Sequence, residues 1–416
     1  MTEKIETRIL SNGLVLLTEQ IAETEAAAYS FRIPYGTVDE PADRPGLAEM
    51  ITEMIVRGAG EYDNRQLLSA FENLGIDGSE SAHQAFSAFS AVLVADQLND
   101  SLALTADVLR RPRFPEEELE PARQVLLQEL AGLEDDPSRI LARRLGKIFY
   151  PAPWGRPASG EIEGIQAITL EDVVETYKRH YSPNGAVLSI AGKIDPGAVA
   201  ERVESLFGDW TGPRRELPAG EKSSELRVHI PFSSAQTHIG LAWPSVPANH
   251  DDYLPLRCGF GVLSGGMSCR LFDEVREKRG LCYSVSASYT GNQLFGAGLC
   301  YCASGADTAQ EALDVILSEL RRLSEKGVTQ TELDRCKIRL KSLLVMMQES
   351  TVAHAEQMAS DYHIFGRVRF LHEYLDQLDA LTLDRVNETI SAYRIGPFRL
   401  ATLGSEELEI DPALLG

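Results

Sequence analysis

One segment of the first half of the chain returns, altered, in the second. Arg65 to Gly75 reads R-Q-L-L-S-A-F-E-N-L-G, and Arg270 to Gly280 reads R-L-F-D-E-V-R-E-K-R-G. Both are eleven residues long, with Arg first, Glu eighth and Gly last. Each reads as a helix stopped by a glycine, the residue that accepts the left-handed conformation past a helix end. Alternating residues follow, S-A-H-Q-A-F-S-A-F-S-A-V-L-V in one copy and C-Y-S-V-S-A-S-Y in the other, and period two marks a half-buried strand. Leu102 to Leu109 and Ala309 to Leu323 are then helical in pattern. F-P-E-E-E-L-E-P-A-R and V-T-Q-T-E-L-D-R-C-K each open a further helix with an acidic first turn that suits the helix dipole.

Several elements kept in one order make a repeat of whole domains. A chain of 416 residues also exceeds the size at which single cores stop growing, about 250–300 residues. Thr211 to Ser224, T-G-P-R-R-E-L-P-A-G-E-K-S-S, has the composition of a linker. The expectation is an α+β fold of two homologous domains, residues 1–212 and 225–416, joined by 213–224. Each would carry a mixed or antiparallel sheet with helices packed on one face.

Charge narrows the partners. A net charge of −22 argues against nucleic acid, whose phosphates need clustered Lys and Arg, and against an anionic membrane surface. The first residues, M-T-E-K-I-E-T-R, lead into no long apolar run, so neither a signal peptide nor a membrane span is expected. Six cysteines lie between Cys258 and Cys336 without a Cys-x-x-Cys spacing, which fits reduced thiols in a cytoplasmic protein.

The stretch P-G-L-A-E-M-I-T-E-M-I-V-R-G, Pro45 to Gly58, is an amphipathic helix opened by a proline and closed by a glycine. It sets Glu49, Thr52 and Glu53 on one face among apolar residues, with Arg57 one turn past Glu53 and spaced to pair with it. Two carboxylates and a hydroxyl facing one way on such a helix imply a wet site or a basic partner.

With the repeat in view, the chain resembles the pitrilysin and mitochondrial processing peptidase family, the inverted zincins. The resemblance runs nearly end to end. It rests on S-N-G-L-V-L-L-T (Ser11 to Thr18), the helix at Gly46 to Gly58, Y-S-P-N-G-A-V-L-S-I-A-G-K-I-D (Tyr181 to Asp195) and L-S-G-G-M-S-C-R-L-F-D-E-V-R-E-K-R-G-L-C-Y (Leu263 to Tyr283). The family's zinc helix carries H-x-x-E-H, in which two histidines bind the metal and the glutamate activates water. Here those positions are Glu49, Thr52 and Glu53, and the distal ligand position falls on Glu129. Both imidazoles and the general base are gone, so no zinc and no cofactor are expected in this chain. Three carboxylates at Glu49, Glu53 and Glu129 leave Mg²⁺, Mn²⁺ or Ca²⁺ as an alternative through oxygen ligands.

The resemblance also implies what is kept. Relatives carry an arginine and a tyrosine seven residues apart that hold the substrate carbonyl as it becomes an oxyanion, and Arg276 and Tyr283 match them. The first copy has Phe71 and Gly78 at the equivalent places. Gly265 and Gly266, which no G-K-[ST] follows, border the substrate chamber in relatives. The strand pattern at S-A-H-Q-A-F-S-A-F-S-A-V-L corresponds to the edge where substrate adds as an extra strand. His354, His363 and His372 recur every nine residues and alternate helix faces, so one helix cannot bring them to one ion.

The resulting expectation is the zinc-free subunit of a heterodimeric metallopeptidase. A paralogue with an intact H-x-x-E-H would hold the zinc, and a peptide or unfolded polypeptide would be the substrate. The alternatives are a structural scaffold without peptidase chemistry and a hydrolase built on the carboxylates with Mg²⁺ or Mn²⁺.

Overall fold

The computed structural model describes residues 5–133 and 135–416. Among these, no helix is long and apolar enough to cross a membrane. The chain divides into two compact units.

The first unit is built on six strands: β1 (Ile5–Ile9), β2 (Val15–Gln20), β3 (Ala26–Ile33), β4 (Asp77–Ala82), β5 (Ser87–Val94) and β6 (Val187–Gly192). They lie in the order β1-β2-β6-β3-β5-β4, antiparallel except for the β2–β6 pair. The second has β7 (Arg227–Pro231), β8 (Gln236–Ser245), β9 (Cys282–Gly291), β10 (Gly296–Gly305) and β11 (Arg399–Gly404). Their order is β9-β10-β8-β11-β7, and again one pair, β11–β7, is parallel. Without β1 the two sheets match strand for strand in chain order, neighbours and direction. The duplication read from a short segment is thus a duplication of topology.

The units depart from the expected boundary. The first comprises residues 1–132, 156–220 and 347–368, and the second 133–155, 221–346 and 369–416. The reason is an exchange of equivalent helices. Pro137–Phe149, in the first half of the sequence, packs Leu141, Leu145 and Ile148 against Ala242, Ala401 and Leu403 of the second sheet. Thr351–Phe365, in the second half, packs Ala355, Met358 and Ala359 against Val15, Leu17, Ala28, Val187 and Ala191 of the first.

Strand periodicity makes this possible. On β3, Tyr29 and Phe31 face one layer, where Tyr29 shares hydrogen bonds with Ser101 (2.9 Å) and Thr105 (2.8 Å) and Phe31 meets Phe207. Its alternate residues Ala28, Ser30 and Arg32 face the exchanged helix, where Arg32 pairs with Glu356 (2.8 Å). Ser189 adds a hydrogen bond to the Ala355 carbonyl (2.7 Å), and His354 pairs with buried Glu19 (2.8 Å). The same alternation on β8 sends Ile239, Leu241 and Trp243 into the main core and Ala242 towards Leu141 and Leu145. Burying a leucine or isoleucine of this kind contributes about 1.5–3 kcal/mol, so the three on Pro137–Phe149 are sufficient to anchor it.

Candidate functional site

The helix that carries the degenerate zinc positions spans Leu47–Ile55. No side chain of its own first turn caps it. Glu40 does so from outside, its Oε1 accepting the N–H groups of Gly46 (3.1 Å) and Ala48 (2.8 Å). Gly46 has φ +107°, a conformation that disfavours any side chain. Burial pushes Glu40 up to about 8, against the pull of those two donors.

The face that corresponds to the zinc positions is occupied by other bonds. Thr52 is buried and donates its hydroxyl hydrogen to the Glu49 carbonyl (2.8 Å). Glu53 is tied to Arg57 (Nε to Oε1, 3.1 Å), the pairing its four-residue spacing allows, and Arg57 also reaches Glu118 (2.7 Å). Glu49 accepts the N–H of Ala82 at the end of β4 (3.2 Å). Burial pushes Glu49 up to about 7, and the negative charges of Glu129, Glu53 and Glu80 add to the rise. Glu129 itself is exposed on the Glu116–Leu133 helix. Among the described residues no group of three or more His, Cys, Asp and Glu is placed to hold a metal ion. The donor set therefore does not fit zinc: it offers no imidazole, its hydroxyl is spent on the helix backbone, and one carboxylate is neutralised by a guanidinium.

The second copy of the repeat is locally irregular in two places. Phe272–Glu277 winds as a π-helix, with the Lys278 N–H reaching the Asp273 carbonyl (2.9 Å), and Arg276 sits in that widened turn. On β9 the register against β10 shifts between Cys282 and Ser284, which makes Tyr283 the extra residue of a β-bulge. Wide turns and bulges redirect side chains and recur at functional sites. Here they bring the two predicted residues together. The Arg276 guanidinium lies 4.9 Å from the Tyr283 ring centre and 4.8 Å from that of Phe272, and it donates to the Tyr283 carbonyl (2.9 Å). Tyr283 is 77% exposed on an edge strand, so its hydroxyl is available to something outside the sheet.

The first copy shows the regular version. Asn64–Asn73 is an α-helix opened by a capping box from Asp63 and Gln66, and β4 pairs with β5 without a break in register. Gly75 and Gly280 close the two helices at φ +62° and +63°. Where the second copy packs arginine on tyrosine, Phe71 and Gly78 line a cavity of about 410 Å³ with Val56, Leu68, Phe89 and Glu80. The edge pattern of the first domain divides in two: Asp77–Ala82 is the edge strand, and Ser87–Val94 lies inside the sheet.

Gly265 and Gly266 end the Tyr253–Ser264 helix and line a separate pocket that neither Arg276 nor Tyr283 touches. A Cβ at Gly265 would stand 2.1 Å from the Gly261 carbonyl oxygen, so that turn admits only glycine. The three spaced histidines do not converge. His354 bonds Glu19, His363 is edge-on to Phe86, and His372 stacks on Phe370. Burial pushes His363 down to about 4, aided by Arg32 and Arg215. Sequence reasoning passed over Glu40, the 410 Å³ cavity, and Arg335 and Arg339 beside the glycine turn. The last pair was readable, since arginines four apart share a helix face.

Fold and corner together define a duplicated α+β chain of the kind peptidases of the inverted-zincin group use. Residues 15–160 match the family described as Insulinase (Peptidase family M16), and residues 167–340 match its companion, the Peptidase M16 inactive domain. The chain belongs to the M16 peptidase family. Its relatives include an uncharacterised zinc protease, YmxG, of Bacillus subtilis, 26% identical over 379 residues that cover 90% of this chain and 92% of the relative. A second, of Rickettsia felis, is 24% identical over 417 residues, 98% and 99% of the two chains. Among solved structures, a peptidase M16 inactive domain from Pseudomonas fluorescens superposes with TM-score 0.86 at 22% identity, over 98% of this chain and 99% of that one. A protease from Helicobacter pylori gives 0.87 at 20% identity, over 96% and 99%. At those identities the structures establish the shared fold.

Proposed function

We propose that this chain is the zinc-free subunit of a two-subunit M16 peptidase of the cytoplasm. Its partner is a paralogue whose H-x-x-E-H helix holds zinc, and its own contribution is Arg276 and Tyr283. The observation that carries this reading is the contrast within the chain. Thr52 and Glu53 of the zinc helix are tied up in an internal hydrogen bond and an ion pair, while Arg276 reaches from its helical turn to Tyr283 on an exposed edge strand. A guanidinium and a phenol are donors suited to the oxygen of a peptide carbonyl as it gains charge. A flexible peptide or unfolded segment is the substrate that can bring its backbone to such an edge.

The test is to purify the chain alone and together with an H-x-x-E-H paralogue and to measure bound zinc and cleavage of a quenched fluorescent peptide. The chain alone should hold no stoichiometric zinc and cleave nothing, and cleavage should appear with the partner. Loss of one oxyanion donor costs about 10²–10³ in kcat, so Arg276→Ala should fall by that order, and Tyr283→Phe by less. Wild-type rates in both variants would remove the proposed role, and cleavage by the chain alone would remove the division of labour.

A further inference from the structure

The geometry points to a second binding element in this chain: an anion site at the Gly265–Gly266 turn, where Arg335 and Arg339 hold a carboxylate of the bound polypeptide. The inference rests on the peptide-substrate reading above and names which part of the peptide is held there.

The pocket is about 180 Å³ and lies wholly within the second unit, between the glycine turn and the Gln330–Met347 helix. A water occupies about 30 Å³ of liquid, so a carboxylate with some of its waters fits. Its charged lining is Arg335, Arg339 and Glu332. Glu332 is already matched, because Arg270 grips both its oxygens (2.7 and 2.8 Å) and the Thr329 N–H donates to it (2.8 Å). Two guanidinium charges therefore stand unbalanced in a chain whose net charge is −22.

Neither arginine is used up by the fold. Arg335 reaches the Ser268 carbonyl at a long 3.5 Å, and Arg339 has no hydrogen-bond or ion-pair partner among the described residues. The position of a Cβ on Gly265 is 3.0 Å from the Arg339 Nη1, so glycine is what lets the guanidinium lie over the turn. Gly266, at φ +154°, leaves open space at its own Cβ position. Behind Glu332, Arg270 is nine-tenths buried, and its Nη1 has no hydrogen-bond partner among the described residues. Guanidinium groups with spare donors suit a planar carboxylate or a phosphate. A carboxylate comes with the peptide itself, whereas a phosphate would be a free anion.

The experiment is fluorescence anisotropy with the full chain and a short N-terminally labelled peptide, made with a free C-terminal carboxylate or with an amide. The carboxylate form should bind about tenfold tighter. Arg339→Gln and Arg335→Gln, both exposed positions, should each shrink that ratio, Arg339→Lys should keep part of it, and added salt should weaken it. Inorganic phosphate should compete only with the carboxylate form. Equal affinity of the two peptides, or a ratio that survives in both glutamine variants, overturns the site. Phosphate that binds in calorimetry without any carboxylate preference assigns the pocket to the free anion and overturns the peptide assignment. Persistence of Arg276-dependent cleavage in either of these cases leaves the proposed function standing. A carboxylate preference without Arg276 dependence leaves the anion site standing instead.

Discussion

At the corner after Arg65 the helix is regular, the next strand keeps its register, and a cavity remains between them. At the corner after Arg270 the helix widens into a π turn, the next strand bulges, and an arginine lies on a tyrosine. Frame length, glycine cap and sheet order are the same at both. The difference shows that a duplicated fold need not be altered globally for one copy to gain a feature. One residue's worth of slack in a helix and one in a strand are enough to redirect two side chains.

The largest effect that could break this comparison lies at the first residue of the frame. Arg65 is exposed, whereas Arg270 is nearly buried and holds Glu332 and the Gly327 carbonyl (2.8 Å). Arg270→Ala leaves the half-buried Glu332 without its partner and should cost about 1–3 kcal/mol in chemical denaturation. Arg65→Ala should stay within about 0.5 kcal/mol. Equal losses would mean that the two frames are anchored alike.

Glu332 in the second unit and Glu49 in the first titrate in opposite senses. Burial alone would push Glu332 up, but the hydrogen bonds from Arg270 and Thr329 outweigh it and hold the carboxyl at about 2. Its folded state thus releases the proton more readily than the unfolded chain. The stability this gives is present above the ordinary value of 4.5 and drains as pH falls towards 2. Glu49 is the reverse. Its folded carboxyl keeps the proton up to about 7, so stability declines as pH rises from 4.5 to 7. Glu49→Gln should flatten that decline and stabilise the chain by about 1–3 kcal/mol at pH values above it. An unchanged thermal-unfolding profile across that window would contradict the burial of Glu49.

The smallest expected effect sharpens the contrast. Arg276→Ala removes an exposed ring contact and one hydrogen bond, worth no more than about 1 kcal/mol of folding stability. Denaturation midpoints near wild type beside a collapsed rate with the partner would place Arg276 in function and outside the scaffold.

Much of this was legible in the residues. The repeat foretold two matching sheets, and Glu53 and Arg57 foretold their own pairing. The helix exchange was hidden because Leu141, Leu145 and Ile148 make an apolar stripe that fits either sheet equally well. The irregular corner was hidden for a different reason: its frame in the sequence has the same eleven residues and glycine end as the regular one, so both read as the same helix. The edge strand was displaced because alternation runs on through His83 to Phe86, where the chain in fact turns. Arg335 and Arg339 carry a periodic signal, but the glycine turn they face is about 70 residues away in sequence, beyond any local pattern.

The exchanged helices also set a timetable for biogenesis. A growing chain emerges N-terminus first, yet the helix that covers one face of the first sheet ends at Phe365. Until the segment ending at Phe365 has left the ribosome, Ala28 and Val187 lack the helix that covers them. Nascent chains of this protein should therefore be clients for chaperones until that helix emerges, and a nonsense truncation anywhere before it should spoil both halves of the molecule.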